Sequence, residues 1–144
     1  MERIQELLAT VSTMTLATTD LAGNPHAAPV YFVADDEMRL YFFSEMKSQH
    51  SQHIAQNPKV AAAIYPECEG WRDIKGLQLR GEMRLVESSK VWDSAWERYQ
   101  VKFPFVRSLK VVVAQNQLYI FIPSWVRLVD NVQGFGFKKE WNLS

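Results

Sequence analysis

The stretch "SEMKSQHSQHIAQNP", residues 44–58, concentrates side chains that can do chemistry. It contains two of the three histidines in the chain, a lysine and three serines, and it ends at an Asn-Pro pair. Three uses compete for these groups. The imidazoles could bind a metal, the hydroxyls and the lysine could bind a phosphate, or the whole stretch could form a solvated helix.

A metal site is the least favoured of the three uses. His50 and His53 have His-x-x-His spacing, but zinc needs a third or fourth ligand. The remaining candidates, none at a recognisable metal spacing, are His26, Glu67, Cys68 and Glu69. On a helical wheel of about 100° per residue, His50 lies about 60° from Lys47 and His53 about 120° from it. We therefore predict no metal, convergence of Lys47 with His50, and a surface position for His53.

A phosphate site suits the same stretch better. The first turn of a helix offers free N–H groups and the positive end of the helix dipole, which hydroxyls and a lysine can complete. The residues with this composition, at the point where a predicted strand gives way to a helix, are Ser44, Lys47, Ser48 and His50. The competing interpretation is that the serines cap the helix while Lys47 and His50 lie in solvent. The residues alone leave both interpretations open.

Hydropathy periodicity predicts the elements that position this stretch. Apolar residues recur at helical spacing over residues 4–11, and three β-rich segments, "TMTLATT", "HAAPVYFVA" and "MRLYFFS", predict a meander of strands. Pro58 ends the following helix, and "KVAAAIY" predicts a fourth strand. The clearest strand is "KGLQLRGEMRLVE", with Leu77, Leu79, Met83 and Leu85 on one face and Gln78, Arg80, Glu82 and Arg84 on the other.

The second half of the chain predicts one more helix and one more strand. "SSKVWDSAWERYQVKF" begins with a serine cap signal and places Trp92 and Trp96 one turn apart, which favours packing against the sheet. Pro123 inside "QLYIFIPSWVRLVDN" predicts a bulge or an edge. The sequence therefore predicts a single domain over residues 1–144 with a mainly β fold of six antiparallel strands and three or four short helices, and it favours a closed or nearly closed barrel over an open α+β sheet.

Composition excludes several classes of function. Sixteen basic residues balance sixteen acidic ones, so the chain lacks the basic surface of a nucleic-acid-binding protein. No apolar run approaches the roughly 20 residues that span a bilayer, and the N-terminal segment does not resemble a secretory signal. The single cysteine, Cys68, cannot form an internal disulfide, and it has no histidine partner that would activate it. We expect a cytoplasmic protein that binds neither nucleic acid nor membrane.

The order of these segments resembles a known family. The run from "TMTLATT" through "GNPHAAPVYFVADDEMRLYFFSEMKSQHSQHIAQNPKVAAAIY" is similar to the FMN-binding split barrel of the pyridoxamine 5'-phosphate oxidase-like superfamily. The later segments "GLQLRGEMRLVE", "KFPFVRSL" and "VDNVQGFGFKKEW" resemble a small bacterial branch of that superfamily, the YhbP-like proteins. The resemblance covers most of residues 10–142.

The resemblance implies a homodimer with two FMN sites between the subunits. It assigns the FMN phosphate to Ser44, Lys47, Ser48 and His50, and it assigns the isoalloxazine ring to Pro29, Val30, Tyr31, Phe32 and Phe43, largely through backbone groups. The expected contributions of the partner subunit are Gln78, Arg80, Trp125 and Trp141, with Lys138 and Lys139 as further candidates.

The sequence also departs from the family pattern. Counting back from Asn57-Pro58, His50 occupies the position of the usual phosphate-binding lysine. The arginine and lysine on the second strand of pyridoxamine phosphate oxidases, and the arginine and histidine of their C-terminus, have no match here. We therefore do not expect oxidation of pyridoxamine phosphate. The lead hypothesis is a flavin-dependent oxidoreductase that binds FMN and transfers a hydride or electrons between a reduced nicotinamide and another small substrate.

The catalytic groups stay open at this point. Tyr31 and Arg80 could polarise a substrate, but a core tyrosine and a solvated arginine fit the same pattern, so no acid or base is assigned. The alternative functions are a non-catalytic protein that binds or stores flavin, haem or deazaflavin, and a split barrel that has lost its cofactor. For haem, His26 or His50 is the candidate axial ligand.

Overall fold

A computed structural model describes residues 1–143, so Ser144 of the expected domain lies outside the described part. The α-helices are α1 (Glu2–Thr10), α2 (Gln49–Gln56), α3 (Ser89–Lys102) and α4 (Lys110–Ala114). The strands are β1 (Thr13–Thr19), β2 (Pro25–Tyr31), β3 (Val33–Ala34), β4 (Leu40–Ser44), β5 (Lys59–Ile64), β6 (Lys75–Leu85), β7 (Gln117–Asp130) and β8 (Lys138–Asn142). Short 3-10 turns occupy Trp71–Asp73, Pro104–Leu109 and Asn131–Gln133.

All the strands belong to one antiparallel sheet that curls into a half-barrel. Its order is β2-β1-β5-β6-β7-β4-β3, and β8 pairs with the C-terminal half of β7. The 14-residue β7 makes this possible, because its first half pairs with β4 and its second half with β8 while β6 pairs along it. Side chains inside the curl form the main core, with Leu16, Phe42, Ile64, Leu79, Phe121 and Val126 among its buried members.

The fold class is confirmed, whereas the strand count of six is too low by two. The run "HAAPVYFVA" is split at Phe32. The backbone N–H of Phe32 makes the last contact on the side of β1, to the carbonyl of Ser12, and the two residues of β3 then pair with β4. The second additional strand is β8, which the C-terminal segment forms against β7. Its sequence does not alternate between apolar and polar residues, so periodicity could not detect it.

The bulge predicted beside Pro123 is confirmed. Pro123 lies opposite Gly81 and Trp125 lies opposite Arg80, so Ser124 is the extra residue between them. Burial along β6 follows the predicted alternation at Leu77, Leu79 and Met83, which are at most 2% exposed. Leu85, the last residue of β6, continues the same face but is 42% exposed.

The helices cover the core and the sheet. The helix predicted at the N-terminus is confirmed as α1, which buries Ile4, Leu7 and Leu8 in the main core. The predicted packing of α3 is also confirmed, since Trp96 and Tyr99 are buried against the β3–β4 edge in a second cluster. Within the described residues, no helix is both long and apolar enough to cross a membrane.

Candidate cofactor site

The helix α2 is fixed at both ends, and this defines the geometry of the predicted phosphate stretch. Ser48 is its N-cap, and its hydroxyl accepts a hydrogen bond from the backbone N–H of Ser51. At the other end the side-chain amide of Asn57 donates to the hydroxyl of Thr19 on β1. Ile54 is 7% exposed and anchors the helix to the core. The first turn of α2 is thereby held beside the end of β4.

Three of the four predicted phosphate ligands meet at this first turn. The hydroxyl of Ser44, the last residue of β4, lies 3.1 Å from the hydroxyl of Ser48 and 2.6 Å from Nε2 of His50. Lys47 is exposed and forms no ion pair within residues 1–143, so its convergence with His50 stays a prediction. We call Ser44, Ser48 and His50 the cradle.

The prediction that His53 lies on the surface is wrong. Its side chain is 4% exposed, and its ring nitrogens are hydrogen-bonded to the hydroxyl of Thr18 at 3.1 Å and to the amide nitrogen of Gln49 at 2.8 Å. The helical wheel separates His53 from Lys47, but it cannot show that this side of α2 packs on β1. The sheet, and not solvent, covers that side of the helix.

All three histidines of the chain converge, which sequence reasoning missed. The ring of His26, on β2, stacks on His50 with centroids 6.4 Å apart and meets the edge of His53 at 5.9 Å. The available signal was the hairpin, because pairing β1 with β2 places His26 opposite Thr18, the partner of His53. Among the described residues, no group of histidine, cysteine or carboxylate side chains has a geometry that could hold a metal ion.

Electrostatics in the cradle favour an uncharged imidazole. Burial lowers the pKa of His50 below its ordinary value, and the neighbouring His26 lowers it further. A neutral His50 therefore supplies a hydrogen-bonding nitrogen but no positive charge at neutral pH. The nearest fixed charge in the sequence is that of Lys47.

The residues predicted to contact the isoalloxazine line an aromatic pocket. Pro29, Val30, Tyr31 and Phe43 surround a cavity of about 320 Å³ together with Tyr99, Phe103, Phe105, Val106, Leu109 and Val113. The hydroxyl of Tyr99 donates to the backbone carbonyls of Tyr31 and Tyr41 and thereby joins α3 to two strands. None of the residues that line the pocket has a charged side chain.

Phe32 does not belong to this pocket, which corrects the sequence assignment. Its side chain is fully buried in the main core. Its N–H donates to the carbonyl of Ser12, and its carbonyl accepts from Nζ of Lys102. Both its ring and its backbone polar groups are therefore already used inside the protein.

Of the residues expected to serve a partner subunit, Gln78, Arg80 and Trp125 lie on the outer face of the sheet, whereas Trp141 does not. Gln78, Arg80 and Trp125 line a shallow cavity of about 470 Å³ with small side chains of β1 and β5. The guanidinium of Arg80 lies 3.9 Å from the centre of the Trp125 ring. Trp141 packs partly against the main core and Lys139 lies over its ring, while Lys138 is exposed.

The antiparallel half-barrel with short helices places this chain in the class of split-barrel proteins. The family model described as pyridoxamine 5'-phosphate oxidase matches residues 1–130. The chain therefore belongs to the pyridoxamine 5'-phosphate oxidase family, as the resemblance in its sequence indicated. The UPF0306 protein of Photorhabdus laumondii is 30% identical over 139 residues, which cover 96% of this chain and 92% of that protein.

Two solved structures show the same fold. ChuZ of Campylobacter jejuni superposes with a TM-score of 0.83 at 17% identity, over 98% of this chain and 58% of that chain. HutZ, the haem storage protein of Vibrio cholerae, superposes with a TM-score of 0.71 at 19% identity, over 85% of this chain and 94% of that chain.

Proposed function

We propose that this protein binds FMN and is a flavin-dependent oxidoreductase that uses a reduced nicotinamide and a small substrate. The observation that carries the proposal is the cradle, in which two serine hydroxyls and an imidazole meet at the N-terminus of α2. A helix N-terminus with hydroxyl donors suits a phosphate monoester. Membership of the pyridoxamine 5'-phosphate oxidase family supports FMN as the molecule that carries this phosphate.

The side chains present fit such a cofactor. Ser44, Ser48 and His50 would hold the phosphate, with Lys47 close enough in sequence to supply a charge. The aromatic pocket is uncharged and near the lower end of ligand-site volumes, which suits a planar ring. Phe43 and Ser44 are consecutive on β4 and point to opposite faces, so a ligand that contacts both passes around the end of that strand.

The chemistry of such a site is divided between the cofactor and the protein. Flavin supplies hydride and electron transfer when it is bound. The chain contributes apolar walls that exclude water, donors that orient the phosphate and the exposed hydroxyl of Tyr31, which could contact a substrate at the pocket. No acid or base among the described residues is assigned to the reaction.

The direct test is purification with added FMN. We expect a bound flavin absorbance spectrum that NADH or NADPH bleaches in the absence of oxygen. A flavin spectrum that neither nucleotide bleaches would indicate a storage or sensing protein instead of an enzyme. A colourless protein without measurable affinity for FMN would contradict both flavin functions.

Replacing Lys47 with alanine is expected to weaken FMN binding by about 10- to 100-fold. One charge-assisted hydrogen bond contributes roughly 1.5–3 kcal/mol, and every 1.4 kcal/mol is tenfold in affinity. The measurement is the quenching of FMN fluorescence on titration with protein. Lys90→Ala, at an exposed position on α3, is the matched control. Equal affinity of the two variants would show that Lys47 does not contact the phosphate.

We also propose that the outer face of the sheet is a homodimer interface that completes two FMN sites. Its centre consists of small side chains, Thr15, Ala17, Ala61 and Ala63, which permit close approach of a second sheet. Arg80 and Trp125 stand beside them and would reach the cofactor of the partner. The family resemblance supports this arrangement.

Ala17→Glu is expected to convert the dimer into a monomer. Ala17 is exposed in the single chain, so the substitution leaves the fold intact but puts a charge into the proposed interface. Light scattering coupled to size-exclusion chromatography measures the mass of each variant. Ala22→Glu, in the exposed turn between β1 and β2, is the control and keeps the wild-type mass. A monomeric wild type, or a dimeric Ala17→Glu variant, would refute this interface.

A haem-binding function is the second candidate, and the convergence of the three imidazoles favours it. His26 is only partly buried, so it is the best placed of the three to reach an axial position on a haem. The fold that this chain shares with the haem storage protein HutZ is compatible with the idea. Titration with haemin distinguishes the two, since a Soret band that His26→Ala removes would support haem and not flavin.

A further inference from the structure

We propose that His50 is a conditional cation, which takes up a proton when a phosphate dianion enters the cradle and thereby couples cofactor affinity to pH. This inference rests on the proposed FMN site and specifies how that site balances charge. The position is that of the family's usual lysine, but here it holds an imidazole that stacks on His26, which in turn meets the edge of His53. Charge at this site is therefore conditional on protonation.

The surroundings of His50 in the cradle disfavour a positive charge on its ring. Its Nε2 lies 2.6 Å from the hydroxyl of Ser44, and its ring is half-buried between His26 and Phe42. Within residues 1–143, none of the three imidazoles forms an ion pair with a carboxylate. Protonation of His50 without a ligand would thus place an uncompensated charge in a partly desolvated site.

Among the titratable groups around the cradle, His50 is the one in position to take up a proton beside a bound phosphate. On α2, both ring nitrogens of His53 are already hydrogen-bonded inside the protein, to the amide nitrogen of Gln49 and to the hydroxyl of Thr18, so neither is free to contact a ligand in the cradle. Beyond β1, the carboxylate of Asp20 is bonded to the backbone of Ala22 and to Asn24.

The remaining titratable groups near the cradle lie just after β4 or on β2. Glu45 and Lys47, which follow β4, are both exposed. From β2, His26 stacks on the ring of His50 and opposes its protonation. A ligand anion is therefore the group that would reverse this balance.

A phosphate dianion changes the balance because an opposite charge at contact raises a histidine pKa by about 1–3 units. The complex then holds one more proton than the free protein at any pH between the two pKa values of His50. Proton uptake on binding means that affinity is highest below the pKa of His50 in the free protein, falls as pH rises from that pKa to the pKa in the complex, and levels off above it. The phosphate itself titrates near pH 6, so it is already a dianion above pH 7.

The first experiment follows binding of FMN and of riboflavin from pH 7 to pH 9. We expect the affinity for FMN to fall about tenfold or more over this range, and the affinity for riboflavin, which lacks the phosphate, to stay constant. Calorimetry at pH 7 in two buffers of different ionisation enthalpy should show net proton uptake with FMN. FMN binding that is independent of pH and releases or absorbs no proton would overturn the inference while leaving the FMN function intact.

Two variants of His50 provide the matched comparison. His50→Lys restores the fixed charge, so FMN binding should become tighter at pH 8 and lose its pH dependence. His50→Asn keeps a hydrogen-bonding group that cannot be protonated, so binding should be weak and equally flat. A pH dependence that survives in His50→Asn would assign the proton to another group.

A third measurement separates this inference from the FMN proposal. The chain has three histidines, so proton NMR can follow each imidazole with inorganic phosphate as the probe. A rise in the pKa of His50 with phosphate, in a protein that does not bind FMN, would retain the conditional cation and reject the flavin. An unchanged His50 pKa in saturating phosphate would overturn the inference.

Discussion

Gly81→Ala is expected to lower the free energy of unfolding by about 3 kcal/mol or more. A Cβ at this position would overlap the carbonyl oxygen of Ile122 and lie 2.7 Å from Cα of Pro123. Both obstacles are backbone atoms of β7, so neither can rotate away. The close approach exists because the bulge at Ser124 draws the two longest strands together here. Urea denaturation followed by tryptophan fluorescence measures the change.

Gly70→Ala is the control for this prediction. A Cβ at Gly70 meets no atom within 4 Å, and its extended backbone suits any residue. The free energy of unfolding should therefore change by less than about 0.5 kcal/mol. Equal stability of the two variants would show that the strands can separate at Gly81 without loss. Because Arg80 precedes Gly81, the same bulge positions the guanidinium proposed to reach the partner's cofactor.

Local patterns were sufficient to predict most of the fold. The alternation of Leu77, Leu79 and Met83 and the helical spacing of Ile4 and Leu8 depend on neighbours in sequence, and each element lies where these patterns placed it. Pro123 marked the bulge because a proline cannot donate a ladder hydrogen bond. The two additional strands escaped prediction because β3 has only two residues and the segment of β8 does not alternate.

The candidate site was predictable only where its contacts are local. Ser44, Ser48 and His50 lie within seven residues of one another, so a strand followed by a helix brings them together. The position of His53 depends on Thr18, which is 35 residues away, and that of His26 depends on the hairpin register. Phe32 was assigned to the ring from the family resemblance, and the sequence does not show that the strand breaks at this residue.

The convergence of the histidines gives the departure from the family a physical meaning. A histidine in place of a lysine first indicates a weakened phosphate site, because a neutral imidazole carries no charge. Contact with His26, together with the hydroxyl of Ser44, makes the charge of His50 responsive to what occupies the cradle. At the proposed phosphate site, the histidine would therefore change the pH range of binding instead of simply abolishing it.

Lys102→Met is expected to lower the free energy of unfolding by about 2 kcal/mol at pH 7. Nζ of Lys102 donates to the carbonyls of Leu8 and Phe32 at 3.0 Å each, so it ties the end of α1 to the segment between β2 and β3. The variant leaves both carbonyls without this donor, at a cost of about 1–3 kcal/mol for each. Removing a partly desolvated ammonium offsets part of that loss, which is why the net value is lower than the sum.

The pH dependence of stability gives Lys102 a second and more specific signature. Burial lowers the pKa of Lys102 from 10.5 to about 8. Below pH 8 both the folded and the unfolded chain hold this proton, whereas between about pH 8 and 10.5 only the unfolded chain does. The wild type should therefore gain stability relative to Lys102→Met as pH rises from 8 to 9.5, a range below the ordinary titration of tyrosine.

Lys90→Met, at an exposed site on the same helix, should have the same stability as the wild type at every pH. A constant difference between wild type and Lys102→Met across this range would mean that the ammonium keeps its proton, and that the two carbonyls and the Phe32 ring compensate for its burial.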